Sequence, residues 1–451
     1  MNLPQFSRRH FLKTSAGVAL LGAAPSPFGV RPARAAAPPL SSPNEVIQKA
    51  RDVALGILKP SQKDLEHGLE LHADSLVFES YGFSPRCAVD GGAFRAAVEA
   101  GASDAELVDL REEMSMTRCA TDAAERKEFL DAFRAAGVTC IFQNAGEEGN
   151  DPLRLIKRLA RFTFTTDVMR DEFFKAVKPD DIVAAKKQNK LCLYFTGNGV
   201  PLRQQWNSVR DELGFIRIFH QLGIRMMHVT YNRRNPLGDG CGEPNDGGLS
   251  DFGHAAIGEM NRVGVIVDVA HSGWRTSLEA AKASKKPMVA SHTVAASLHR
   301  HFRGKPDEVL RAIFDTGGLA GVCCIPRFLG GAGDIVVFLN HIEYIVKKFS
   351  ADHVAIGMDV GYSSRNEKAE RNKVPKRADG RSALSLSGAR WEHLWPLDEA
   401  KTASNAEQSM AWTNWPLFTV GMVQRGFKDD DIRKILGGNV LRVAQANFMQ
   451  S

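Results

Sequence analysis

The residues able to do chemistry gather at one kind of place in this 451-residue chain. His72 and Asp74, Thr196, Tyr231, His271, His292 and Asp359 all lie at the ends of short apolar runs. Neutral imidazoles and carboxylates are ligands that suit zinc, at about 2.0–2.2 Å. His72 and Asp74 stand two apart, so on a strand they share a face. By the same parity His271 follows Val267 and Val269, and Asp359 follows Ala355 and Gly357. A single histidine closing a buried strand is more often a hydrogen-bonded core residue than a ligand. Several ionisable groups on one rim need partners or a metal, because a buried charge without either costs several kcal/mol. The set therefore predicts a metal site.

Other histidines read differently. His299-Arg300-His301 has metal-like spacing but falls in a helical stretch, where residues two apart diverge, so a solvated surface is expected. His228 has the wrong parity relative to Tyr231 and is expected to face outward in a structural role. The Gly437-Gly438-Asn439 turn reads as a helix stop.

To hold such a rim the chain needs a scaffold of parallel strands. Eight apolar, β-branched-rich runs, at 69–74, 138–144, 191–196, 226–231, 264–271, 287–292, 318–324 and 353–359, alternate with helical patterns. Eight such units predict a (β/α)8 barrel (TIM barrel), whose sites sit at the C-terminal ends of its strands. Ahead of them, Ser42-Pro43-Asn44-Glu45 reads as a capping box opening a helix to residue 58.

The N-terminus predicts an address. Ser7-Arg8-Arg9-His10-Phe11-Leu12-Lys13, an apolar run from Ala16 to Ala24 and a small-x-small site at Ala33-Arg34-Ala35 make a twin-arginine export signal. The apolar run is too short to span a bilayer of about 30 Å. The organisation expected is a signal at 1–35, a linker and helix at 36–60, and a barrel at 61–451 carrying a long loop at 362–405. The full chain has a net charge of +6. Removal of residues 1–35 takes away five basic and no acidic residues, leaving +1. No sustained basic face remains for nucleic acid or an anionic membrane. Seven cysteines without a Cys-x-x-Cys pair give no disulfide framework and no zinc knuckle. Adjacent Cys323 and Cys324 read as small buried residues.

With these residues in view, the chain resembles the membrane (renal) dipeptidase family of zinc peptidases. The resemblance runs through Gly248-Leu249-Ser250-Asp251-Phe252-Gly253, Glu259 to Gly264, Val267 to Ser272, Ser291-His292, Arg303, Asp352 to Asp359, and Arg433 to Val443. It covers residues 65–450, with diverged stretches at 75–135 and 362–405. It implies that His72 and Asp74 hold one zinc and His271 and His292 a second. It also implies that Arg303 clamps the substrate's free carboxylate, that Asp359 handles the proton, and that the protein forms a homodimer.

Two departures stand out. The family's bridging glutamate at the end of the third strand is missing, with Thr196 or Asn198 in its place, and Tyr231 stands where the family has a histidine. Without an anionic bridge two close cations repel, so one tight zinc on His271 and His292 is expected, with the second site filled only at high zinc. Glu147 or Glu148 is the substitute bridge to consider. A phenol at Tyr231 can still donate to an oxyanion. The function expected is periplasmic (or secreted), zinc-dependent hydrolysis of dipeptides or similar small amides with a free carboxylate. The alternatives are a one-zinc hydrolase of another amide or lactam, and a non-catalytic binding protein on the same barrel.

Overall fold

A computed structural model describes residues 40–146, 151–376, 382–384 and 402–448. The signal at 1–35, Glu147, Glu148 and most of the stretch from 377 to 401 lie outside the described residues. Nine strands are described: β1 (Phe78–Gly82), β2 (Cys140–Gly146), β3 (Phe173–Lys175), β4 (Leu191–Gly197), β5 (Ile224–His228), β6 (Ile266–Asp268), β7 (Val289–Thr293), β8 (Leu319–Val322) and β9 (Val354–Ile356). All pairings are parallel, in the order β1-β2-β4-β5-β6-β7-β8-β9, with β3 added beside β4. The Asp359 amide, just after β9, reaches the Tyr81 carbonyl of β1 at 3.4 Å, and the Met358 amide donates to Glu79 Oε1 at 3.2 Å. Helices connect the strands, so the sheet is the near-closed wall of a (β/α)8 barrel.

Strand alternation sorts the side chains into two layers. Phe78, Tyr81, Phe142, Tyr194, Met226, Ile266, Val289, Leu319 and Ala355 pack together inside the barrel. Their neighbours Ile141, Leu193, Met227, Val267, Ala290 and Ala320 join the larger core under the helices. At the end where strands begin, helix Asn439–Asn447 adds Val440, Val443 and Ala444 to the inner cluster. Gly437 breaks the helical backbone as expected: its φ of 179° and ψ of −20° are non-helical and kink the chain between helix Asp429–Arg433 and helix Asn439–Asn447. A Cβ at Gly437 would lie 2.4 Å from the Leu76 carbonyl oxygen and 2.6 Å from the Phe78 amide nitrogen, so glycine permits the close approach to β1.

The first strand is a correction. Residues 69–74 are not a strand but the last part of helix Gln62–Asp74, capped by the Ser61 hydroxyl, which accepts from the Asp64 amide. Leu65, Gly68, Leu69 and His72 share one helical face, a 3.6-residue period that outweighs the short alternation Leu69-Glu70-Leu71. Gly68 lets this helix meet helix Trp415–Gln424, since a Cβ there would come within 2.7 Å of Val420 Cα. The barrel instead begins at Phe78–Gly82, which is buried throughout. At the preceding helix, Glu45–Leu58, Asn44 is the cap, accepting from the amides of Val46 and Ile47.

Candidate metal and substrate site

At the C-terminal end of the barrel a cavity of about 590 Å³ is lined by Tyr81, Asn144, Asn198, Tyr231, His271, Arg303 and Asp359 among others. Of the positions expected to act together, Tyr231, His271, His292, Arg303 and Asp359 meet here. His72 and Asp74 do not. His72 is fully buried between helices, its Nε2 against the Ala136 carbonyl and its Nδ1 against Thr419 Oγ1, both at 2.8 Å. Asp74 is exposed at the end of its helix. The place they were meant to fill at the mouth of β1 is held by Tyr81, whose ring stacks on His292 with centroids 3.8 Å apart. The one acid of β1, Glu79, turns away, accepting from Trp412 Nε1 at 2.9 Å, and burial raises its pKa well above the usual carboxylate value.

A third histidine, His228, joins His271 and His292. One ligand atom from each of His228, His271 and His292 lies within 4.8 Å of the other two, the one such trio of His, Cys, Asp or Glu among the described residues. The parity argument failed because β5 and β6 stop at His228 and Asp268, which pair in register, and the chain is irregular beyond them. The inward set is Met226 and His228 on β5 and Ile266 and Asp268 on β6; Val267 and Val269 face the outer layer. Tyr231 and His271 reach the rim from loops. The signal in the sequence was His228 two residues after Met226.

Hydrogen bonding fixes the tautomer of each ring. His228 Nδ1 lies 3.1 Å from the Gly197 carbonyl, which can only accept, so Nδ1 carries the proton. His271 Nδ1 lies 2.7 Å from Asn232 Oδ1, also an acceptor, to which the Cys241 thiol donates as well. Ser291 Oγ gives its single proton to Asp268 Oδ2, and therefore accepts from His292 Nδ1 at 2.9 Å. On His271 and His292 this leaves Nε2 with a bare lone pair. His271 and His292 point theirs at each other across 2.8 Å, and His228 Nε2, which has no hydrogen-bond partner, stands 2.8 Å from Asp268 Oδ2. Facing lone pairs repel unless a cation lies between them. Burial first, then the Arg303 charge, holds the pKa of His271 and of His292 well below the ordinary value, so both rings are neutral ligands.

The residues fit a tetrahedral zinc with three protein ligands and one open position. The Nδ1 hydrogen bonds are the outer contacts that orient metal-binding histidines. Burial pushes Asp268 up, but the His228 ring and the Ser291 hydrogen bonds hold its pKa below the usual value.

On the cavity side, Asp359 Oδ2 lies 4.0 Å from His292 Nε2. Burial raises its pKa to about 6, opposed chiefly by Arg303, while 19% of its side chain remains open to the cavity. Its φ of 59° is left-handed, a conformation that persists in a non-glycine residue when its surroundings impose it. Arg303 is 4% exposed, donates from Nη2 to the His292 carbonyl at 3.3 Å and lies over Phe328; its Nε has no hydrogen-bond partner. His301 belongs to a loop rather than a helix, and its Nδ1 accepts from the Arg303 amide at 3.0 Å. Tyr231 stacks on His271 with centroids 4.3 Å apart. Asn198 Oδ1 accepts from the Tyr81 hydroxyl at 2.6 Å, whereas Thr196 Oγ1 is turned to the Met226 carbonyl.

Comparison with known proteins gives this geometry a setting. A dipeptidase of Claviceps purpurea is 25% identical over 321 residues, 70% of this chain and 62% of its own length. A dipeptidase of Aspergillus oryzae is 26% identical over 243 residues, 52% of this chain and 48% of its own length. The chain thus spans about half to three fifths of these relatives. An amidohydrolase structure from Pseudomonas aeruginosa superposes with a TM-score of 0.59 at 24% identity, covering 84% of this chain and 98% of that one, which shows the fold. No described helix is long and apolar enough to cross a membrane. Residues 5–25 match the twin-arginine translocation signal sequence. Residues 102–371, more than half of the chain, match the membrane dipeptidase family, and the chain belongs to that family, peptidase family M19.

Proposed function

We propose that this protein is an exported single-metal dipeptidase, working in the periplasm or beyond, that cleaves dipeptides or similar small amides carrying a free carboxylate. The observation that supports it most is the convergence of three buried histidines, His228, His271 and His292, beside Asp359 and Arg303. His228, His271 and His292 would hold one zinc, and a zinc ion there supplies Lewis acidity toward a carbonyl and lowers the pKa of water. Arg303, which lines the cavity, binds the substrate carboxylate through its planar guanidinium. Asp359, whose carboxylate lies 4.0 Å from His292 Nε2, accepts a proton when water attacks and returns it to the leaving amine. Tyr231 donates from its hydroxyl to the developing oxyanion. The His72–Asp74 pair has no part in the reaction.

A second reading rests on the same distances. A proton shared by His271 and His292 also relieves their facing lone pairs and leaves a metal-free binding barrel. The two are separated by assaying a dipeptide panel before chelation, after chelation, and after zinc is restored. Turnover lost and regained with zinc supports the peptidase; a folded, zinc-free protein with no turnover on any dipeptide refutes it.

A further inference from the structure

The cavity wall carries charge far beyond what one substrate carboxylate requires. Among the described residues its lining holds seven arginines against three carboxylates. Each carboxylate is already engaged. Glu112 is shared by two arginines of the wall, Arg154 and, at 3.1 Å, Arg158, and also by Arg161 at 3.2 Å, which pairs in addition with Asp109 and Glu113. Glu367 pairs with Arg371 at 2.7 Å. Asp359 lies in the field of Arg303, Arg327 and Arg86 together. Arg86 and Arg327 are held over aromatic rings, Arg86 over Phe83 at 5.0 Å and Arg327 over Phe328 at 5.0 Å, which steadies both guanidiniums at the wall.

A cleft whose lining has an excess of one sign of charge between low-dielectric walls concentrates ligands of the opposite sign. Its volume of about 590 Å³ is that of a site for a ligand well beyond the smallest dipeptides. We infer that the cavity selects a small peptide-like amide with at least two carboxylates, one held by Arg303 and a second by Arg86 and Arg327. An acidic side chain on the residue that supplies the acyl group meets this requirement. The inference rests on the reading above for the bond that is cleaved, but the charge preference is a property of the cavity itself.

The test uses isosteric pairs, Glu-Ala against Gln-Ala and Asp-Ala against Asn-Ala, with the mature protein. Binding is measured by calorimetry and turnover as kcat/KM. The acidic member of each pair is expected to lead by about tenfold or more at low salt, with the lead shrinking at higher ionic strength. Arg86→Gln and Arg327→Gln should each narrow the ratio, with circular dichroism to establish folding; the salt series on the parent needs no variant. Equal binding of acidic and neutral members overturns the inference even if both are cleaved. Tighter binding of the acidic members without cleavage of any sustains it and refutes the hydrolytic reading alone.

Discussion

Replacing His72 by leucine separates a buried structural histidine from a metal ligand. The ring is fully buried, and each nitrogen is satisfied at 2.8 Å, Nε2–H by the Ala136 carbonyl and Nδ1 by the Thr419 hydroxyl. Leucine leaves both partners buried without a bond, at about 1–3 kcal/mol each, so a loss of roughly 2–6 kcal/mol of stability at pH 7 is expected. The loss should depend on pH. Burial lowers the folded pKa from 6.5 to about 4, so between those values the unfolded chain binds the proton and the folded one does not. In the parent this stability is present above pH 6.5 and lost as pH falls toward 4, about 3 kcal/mol over the window. The gap between parent and variant should therefore shrink by about that amount from pH 7 to pH 4, with other buried histidines cancelling in the difference. Urea denaturation across this range reads the gap, and elemental analysis reads the metal. Zinc lost from the folded variant, or a gap that does not change with pH, would refute the reasoning.

Three further outcomes are expected at the site. Arg303→Lys should raise KM about tenfold for substrates with a free carboxylate, with a smaller change in kcat, because an ammonium cannot form the two-pronged clamp; steady-state kinetics showing equal activity would remove Arg303 from that role. Asp359→Asn should lower kcat by about 10²–10⁴-fold while leaving zinc content intact; loss of zinc with activity would make Asp359 a ligand. Asn198→Glu should leave one zinc per chain on elemental analysis, because Tyr81 and the outward-turned Glu79 offer no ligands for a second; two zincs would show that β1 can still bind one.

Much of the barrel was legible because seven of its strands are apolar, β-branched runs ending in polar residues, and period-two patterning survives wherever a strand is flat. The first strand was not, since Phe78–Gly82 carries Glu79, Ser80 and Gly82, and a buried glutamate held by Trp412 looks from sequence like a solvated one. His72-Ala73-Asp74 drew attention instead by its metal-like spacing, though Leu65, Gly68, Leu69 and His72 already traced a helical face. His271 and His292 were found by type and position. His228 was set aside by carrying strand parity through to Tyr231, beyond the last strand residue. The arginine wall was hidden for another reason, as Arg86, Arg111, Arg154 and Arg327 come from separate loops and helices that only the fold brings together.

The most direct test is to count and locate the metal in the mature parent and in His228→Gln, by elemental analysis after dialysis and by anomalous scattering. One zinc per chain bonded to Nε2 of His228, His271 and His292, and lost from a folded His228→Gln, is the predicted result. Two zincs retained in the parent, or a full complement in the His228 variant, would contradict it.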